Sequence, residues 1–379
     1  MKTAILISCF DWYETRLQPI RAILEEKGYS VKVFTSDYDH IKKEKIRNKI
    51  ADCIYVPVKE YKKNVSVDRL VSHRLFAKNI YTKLEEEHPQ LIYALIPPNS
   101  VAKECAKYKK KNMCTKLIFD IIDMWPESMP AQRFHNTLPF KYWKKLRDAS
   151  LYEADHIFTE CNLYQEKINE SLRRKCSTLF LFKAENWKDS VLLEDKKAEE
   201  YKQGKKVLRL CYLGSINHII DIEGISHVVR FLSNEYHVEV RVIGKGESKD
   251  AFLQTLKEAG AVVDYCGAIY DEQEKFELLK DCDYALNMMV DSVSVGLTIK
   301  SIDYMSYGLP LINNIKGDTW KLVNEQAIGI NYCKGEDSEL LNMIRQENKK
   351  SHHEIYKIFT KLFSREAFIE SFKRGIESI

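Results

Sequence analysis

The chain has 379 residues, 45% of them hydrophobic and 30% charged, a globular composition that excludes a disordered or collagen-like chain. That length exceeds one ordinary domain and suits two of roughly 150–200 residues each. Mean hydropathy is −0.38, no apolar run approaches the ~18–20 residues of a membrane span, and the formal net charge is +4.

Residues 3–9 (TAILISC) form a short apolar run, the mark of a buried parallel strand. An amphipathic stretch over 17–26 follows and ends at Gly28, a helix-stop signal. YSVKVFTS and DCIYVPV read as strands, and a long helical pattern covers 68–87. LIYALI, KLIFDII and HIFTE are further strands, with helices at 99–111 and 140–153 between them. Residues 184–206 are polar and poor in apolar periodicity, which predicts a linker. The alternation then restarts with VLRLCYLG, a helix over 222–233, VEVRVIG and a helix over 248–259. VVDYCG, DYALNMM, LPLIN and AIGINY are strands, and the tail from Ser351 is helical. Strands alternating with helices of this length predict parallel sheets. The fold class expected is α/β, with two tandem Rossmann-like doubly wound domains facing across a cleft. Ligands of such sheets sit beyond the carboxyl ends of the strands.

The charge is uneven. Residues 1–190 hold 34 Lys and Arg against 25 Asp and Glu, whereas the remainder holds 25 against 30. The positive half suits an anionic lipid, a nucleic acid or a phosphorylated substrate, or is simply a solvated lysine-rich surface. FKYWKKLR at 140–147 interleaves aromatic and basic residues at helical spacing, which suits the interface of an anionic membrane. No recognition motif supports nucleic-acid binding. The ten cysteines form no close pair, and the start MKTAILISCF runs directly into charged sequence without a secretory signal. The expectation is a cytoplasmic protein, with peripheral association at the inner face of the plasma membrane as a further option.

The sharpest motif spans 296–310. It follows the strand DYALNMM and opens a helix. Gly296 allows close approach, and the amides around Thr298 suit a pyrophosphate. Lys300 in the first turn adds a cation. Asp303, one turn on, shares its face, and a carboxylate there can accept both hydroxyls of a ribose. Further strand-end loops carry Gly214 and Ser215, Lys245, and Gly267 with Ile269, the last suited to holding a base against the backbone. The Val242–Glu247 segment lacks the third glycine of a dinucleotide fingerprint. In the first half, Pro126 makes a rigid turn that projects Asp123, Trp125 and Glu127 from a strand end. There a carboxylate can bond a sugar hydroxyl and an indole can stack on a sugar face. Lys62 and Asn64 occupy a strand-to-helix loop, and Ser66 can cap the helix that brings Arg69 and His73 to one face. These groups can hold a phosphate, with Arg16 as a further candidate. Each also has a plainer reading as a surface charge, a cap or a buried Trp.

The order YLG, VIGKG, YCGAI, DYALNMM and GLTIKSIDYMSYGLPLI resembles the donor domain of GT-B glycosyltransferases, and most nearly their large retaining family four. That family carries two acids eight positions apart, the second opening an E-A-M-A-x-G-x-P segment. Aligning Gly308 and Pro310 puts Asp303 at the second acid, which binds the donor ribose. The first acid falls on Val295, and the family's Arg and Lys of the first loop fall near Ser215 and Glu223; all three are departures. Asp123, Trp125 and Glu127 resemble the D-x-W-P-E segment of members that build O-antigen and capsule.

The resemblance implies domains at 1–183 (acceptor side) and 207–355 (nucleotide-sugar donor side), the 184–206 linker between them, and a C-terminal helix over 356–379 crossing back to the first domain. It implies a retaining transferase that moves a sugar from a nucleotide-diphosphate sugar, UDP favoured, to a lipid-linked saccharide or other glycan. Gly214, Ser215, Lys245, Gly267, Ile269, Gly296, Thr298, Lys300 and Asp303 would bind the donor. Arg16, Lys62, Asn64, Trp125 and Glu127 would bind the acceptor. Lys300 would stabilise the departing diphosphate, and Asp123 or His73 would orient the acceptor hydroxyl. No metal ion and no other cofactor is expected. A nucleotide-sugar 2-epimerase of the same fold and a non-catalytic partner subunit stay open as alternatives.

Overall fold

The computed structural model describes residues 2–10, 13–64, 66–129, 136–184, 200–293, 295–346, 350–377 and 379. It divides into two compact units, one of residues 1–182 with 365–379 and one of residues 183–364. Most of the expected linker, 185–199, lies outside the described residues.

Unit 1 runs β1 (Lys2–Ser8), α1 (Gln18–Glu26), β2 (Tyr29–Ser36), β3 (Tyr38–Asp39), β4 (Glu44–Lys45), β5 (Cys53–Val56), α2 (Val67–Glu87), β6 (Leu91–Ile96), α3 (Asn99–Lys111), β7 (Lys116–Ile121), α4 (Leu138–Leu151), β8 (His156–Thr159), α5 (Asn162–Lys167) and β9 (Cys176–Thr178). Seven strands form one sheet in the order β5-β2-β1-β6-β7-β8-β9, and the pairs along it are parallel. Leu6 pairs with Val33 on one side and Tyr93 on the other. Ala4 to Ile7 are fully buried, as a strand covered on both faces requires. Ser66 caps α2 by accepting from the Arg69 N–H at 3.2 Å. The two-residue strands β3 and β4 are too short to leave a sequence signal.

Unit 2 runs β10 (Tyr201–Lys202), β11 (Lys205–Leu213), α6 (Ile222–Leu232), β12 (His237–Ile243), α7 (Lys249–Glu258), β13 (Val262–Gly267), α8 (Glu272–Leu279), β14 (Tyr284–Asn287), α9 (Ile299–Ser306), β15 (Leu311–Asn313), α10 (Asp318–Gln326), β16 (Gly329–Asn331), α11 (Asp337–Arg345) and α12 (His352–Phe363). Its sheet order is β13-β12-β11-β14-β15-β16, with β10 added antiparallel on β11. Leu210, Val240, Leu286 and Ile312 form the centre of its core with Ile225 and Val229 of α6. Ser351 and Glu354 form a reciprocal capping box that starts α12.

The helical tail is two helices. Ser364 is extended (φ −71°, ψ 164°), which ends α12, and α13 (Arg365–Gly375) follows. The chain returns to unit 1 at Arg365, later than the expected residue 356. Phe368 and Phe372 of α13 join the core of unit 1 with Tyr93 and Phe158. Among the described residues no helix is long and apolar enough to cross a membrane.

Candidate functional site

In unit 2 the strand order reverses between β11 and β14. Open α/β sheets bind ligands beyond the strand ends at such a switch. The loops after β11, β12 and β13 meet there backbone to backbone. The Gly214 N–H donates to the Ile243 carbonyl at 2.9 Å, Ile216 N–H to Lys245 at 3.0 Å, and Gly244 N–H to Gly267 at 2.7 Å. A Cβ on Gly244, whose φ is +152°, would lie 1.9 Å from the Gly214 oxygen, so only glycine allows this approach.

The Lys300 side chain crosses the same loop. A Cβ on Gly214 would sit 2.7 Å from Lys300 Cε. Lys300 Nζ donates to the Tyr212 hydroxyl and lies 3.4 Å from the Ser215 carbonyl. Burial pulls this ammonium down to about 8, against the upward pull of Asp303. Thr298 caps α9, its Oγ1 accepting from the Ser301 N–H at 3.0 Å. The amides of Ile299 and Lys300, in the first turn, have no intrahelical acceptor. Gly296 is held by the Thr319 N–H and hydroxyl, which donate to its carbonyl at 2.8 and 2.9 Å. Gly214, Ser215, Gly267, Gly296, Thr298 and Lys300 therefore lie along one end of the sheet. Lys245 is exposed beside the Tyr270 ring, and Ile269 is half-buried in the loop before α8.

Asp303 brings in a residue the sequence reading left out. Lys183 Nζ donates to Asp303 Oδ1 at 2.7 Å, although 120 positions separate them. Lys183 also lies 3.2 Å from Glu272 and 4.9 Å from the centre of the Tyr307 ring. The Tyr307 hydroxyl donates to Glu272 at 2.7 Å, and Lys275 pairs with it at 2.6 Å. Burial pushes the Asp303 carboxyl up, and Lys183 opposes the shift. Burial would also raise Glu272, but Lys275, Tyr307 and Lys183 hold it down at about 2. Two carboxylates and two ammonium groups thus form one network around the position aligned with the ribose-binding acid. Lys183 stands at the edge of the polar stretch read as linker, where nothing in the pattern marked it.

In unit 1 two expected acceptor-side residues prove structural. Arg16 is fully buried, its Nε donating to Asp120 at 2.5 Å and its Nη2 to Asp120 at 2.7 Å and to the Leu179 carbonyl at 2.9 Å. A guanidinium so enclosed is a core tie and is not presented to an acceptor. Glu127 is likewise taken up by Arg147 in a bidentate pair at 2.8 and 2.9 Å, with Lys144 at 3.0 Å. It fastens the loop after β7 to α4.

Asp123 is half-buried and accepts from the Ser128 hydroxyl. Burial raises its carboxyl despite that bond and those from Trp125, the Met124 amide and Tyr164. His73 is buried and stacked on Trp125, ring centres 6.2 Å apart. Burial, with Arg69 and His40 adding to it, holds its imidazole down at about 3, so it is neutral at physiological pH. Lys62 and Asn64 are exposed on the loop before α2, where Asn64 accepts from Lys43 with its side chain and from Arg69 with its carbonyl.

Glu160, just past β8, is a second residue the sequence reading missed. Its N–H donates to the Ile121 carbonyl at 3.0 Å, which sets it beside the β7 end that carries Asp123. Burial raises its carboxyl to about 7, with Asp123 and Asp120 adding to the shift and Arg16 opposing it. An acid closing an apolar strand was visible, but its carboxylate neighbours were not. The raised value fixes a pH dependence. Between about pH 4.5 and 7 the folded chain keeps a proton that the unfolded chain has released, so stability falls as pH rises through that window. Glu160→Gln removes the effect. Its Tm should match wild type near pH 4.5 and exceed it at pH 8 by an amount worth on the order of 2–3 kcal/mol. A difference independent of pH would refute the raised carboxyl.

Two doubly wound units of this kind define the GT-B fold. The solved structure of lipopolysaccharide outer core galactosyltransferase WaaB in its apo form is similar over 100% of this chain and 99% of its own, at 14% identity and a TM-score of 0.70. Sucrose-phosphate synthase of Thermosynechococcus elongatus matches over 99% and 98%, at 13% identity and 0.66. HepE of Anabaena, in complex with UDP and glucose, matches over 100% of both chains at 11% identity and 0.62. Identities this low make the likeness one of fold. No family model and no curated protein matches the sequence.

Proposed function

We propose that this chain is a retaining glycosyltransferase. It moves a sugar from a UDP-sugar to a lipid-linked saccharide or other glycan precursor of a cell-surface polysaccharide. The observation that carries this reading is the meeting of the Gly214 loop, Lys300 and Asp303 at the switch point of unit 2. It is supported by the fold shared with HepE, whose structures hold UDP and UDP-glucose, and with WaaB and WaaG, named for lipopolysaccharide synthesis.

In this mechanism Asp303 accepts the ribose hydroxyls, with Lys183 donating to its carboxylate and opposing the upward pull of burial. Lys300, protonated below about pH 8, and the first-turn amides of α9 meet the diphosphate as its charge grows. That is electrostatic stabilisation of the leaving group. The departing phosphate oxygen takes the acceptor's proton, so no separate base is needed. Asp123 orients the acceptor hydroxyl, and Trp125 offers a face to the sugar.

A thermal-shift screen with UDP, GDP, dTDP, CMP and NAD tests the reading. A ligand that binds only the folded state stabilises it by ~2.7 kcal/mol at a hundredfold excess over Kd. UDP alone is expected to raise Tm, and Asp123→Ala should keep that shift while slowing sugar transfer at least tenfold. A shift with NAD alone, or none at all, would overturn the proposal.

A further inference from the structure

Three arginines are buried among the described residues: Arg16, Arg69 and Arg147. Two have carboxylate partners, Asp120 for Arg16 and Glu127 for Arg147. Arg69 has none among the described residues. Its Nη1 donates to the Asn64 carbonyl at 3.0 Å, while its Nε has no partner. Its guanidinium lies 4.6 Å from the centre of the Trp125 ring and under 6 Å from those of Phe10 and Tyr61. An aromatic cage offsets part of the cost of burying a cation, but an unpaired one still calls for an anion. His73, one turn along α2 and 4% exposed, has both ring nitrogens without partners.

Arg69, His73 and Trp125 line a cavity of about 690 Å³ within unit 1, a size typical of small-molecule sites. Leu70 from α2 and Phe140, Trp143 and Leu146 from α4 supply its apolar wall, beside the polar Asn64, Ser66 and Ser100 and the carboxylate of Glu104. At the mouth, Val67, Leu70 and Tyr142 are 75%, 48% and 61% exposed. Arg74, Lys78 and Lys103 add cations around the rim. A buried cation with no carboxylate partner among the described residues, at one end of an apolar trough, fits an anion that carries a hydrocarbon chain. A free sugar phosphate would leave the trough empty, and a neutral lipid would leave Arg69 unpaired.

We infer that this cavity binds a phosphate-linked lipid carrier, with its phosphate on Arg69 and His73 and its hydrocarbon chain along Leu70, Phe140, Trp143 and Leu146. The inference rests on unit 1 holding the acceptor, and it makes that acceptor a lipid phosphate. It also assigns α4, with its interleaved aromatic and basic residues, to a chain-binding wall.

Calorimetric titration of the full chain with farnesyl diphosphate, inorganic pyrophosphate and phosphatidylglycerol vesicles, with and without saturating UDP, tests it. Farnesyl diphosphate should bind at least tenfold tighter than pyrophosphate and alongside UDP. Arg69→Gln should weaken both by at least tenfold. Its unliganded Tm should equal or exceed that of wild type, since it removes a buried charge with no carboxylate partner among the described residues; a loss of several degrees would make Arg69 structural and overturn the assignment. Leu70→Asn, an uncharged change at an exposed position, should narrow the preference for farnesyl diphosphate over pyrophosphate by at least fivefold. Equal binding of the two ligands, binding displaced by UDP, or Arg69-dependent binding of vesicles alone would each overturn the proposal. A UDP thermal shift without farnesyl diphosphate binding sinks this inference and spares the transferase reading; the converse sinks the donor site alone.

Discussion

Asp303→Ala should weaken UDP binding by roughly 10–100-fold. A hydrogen bond to a charged group contributes about 1.5–3 kcal/mol, and each 1.4 kcal/mol is tenfold in affinity. The fold should survive, because Lys183 retains Glu272 at 3.2 Å when Asp303 is gone. Lys300→Ala should cost a similar factor through the diphosphate, and it carries a pH signature. Burial holds Lys300 at about 8, so its charge is present below that pH and lost above it. UDP affinity of the wild-type protein should therefore fall between pH 7 and 9, and that fall should vanish in Lys300→Ala. Isothermal titration across this range reads both effects. Unchanged affinity in both variants would remove the nucleotide from this end of the sheet.

The second large effect is on stability. Arg16→Met or Asp120→Leu alone should destabilise unit 1 by about 3–5 kcal/mol, because each leaves the other charge buried and unpaired. For a domain of this size that is a fall in Tm of roughly 6–20 °C. Asp120 also accepts from the Tyr93 hydroxyl, so the Asp120 variant loses a second bond. The double variant should recover most of the loss, since replacing both partners of a buried pair by apolar groups is often nearly neutral. Thermal unfolding of the three variants gives the coupling directly. Single variants within 1 kcal/mol of wild type would show the pair to be dispensable.

Arg16 and Arg69 show why reading the chain alone goes wrong in a particular way. Both are arginines near the start of a helix in the basic half, and both suit an anion. What separates them is the partner. Arg16 meets Asp120 of β7, 104 positions away. Arg69 has aromatic rings around it instead. Glu127 shows the same: as part of a rigid turn it suited a sugar hydroxyl, until α4 brought Arg147 against it.

What the sequence by itself determined was local. Apolar runs bounded by turn residues placed the strands, and 3.6-residue periodicity placed the helices. The Thr298, Lys300 and Asp303 spacing set three groups within the first two turns of one helix. These features depend on neighbours within a few residues, so backbone geometry and hydrophobic burial make them readable in one dimension. Only the tertiary structure decided which charges are neutralised. The pairing of Lys183 with Asp303, the position of Glu160 beside Asp123, and the trough between α2 and α4 arise from strand order and helix packing. A buried charge takes its properties from whatever the fold sets within a few ångströms of it. That distance bears no relation to separation along the chain.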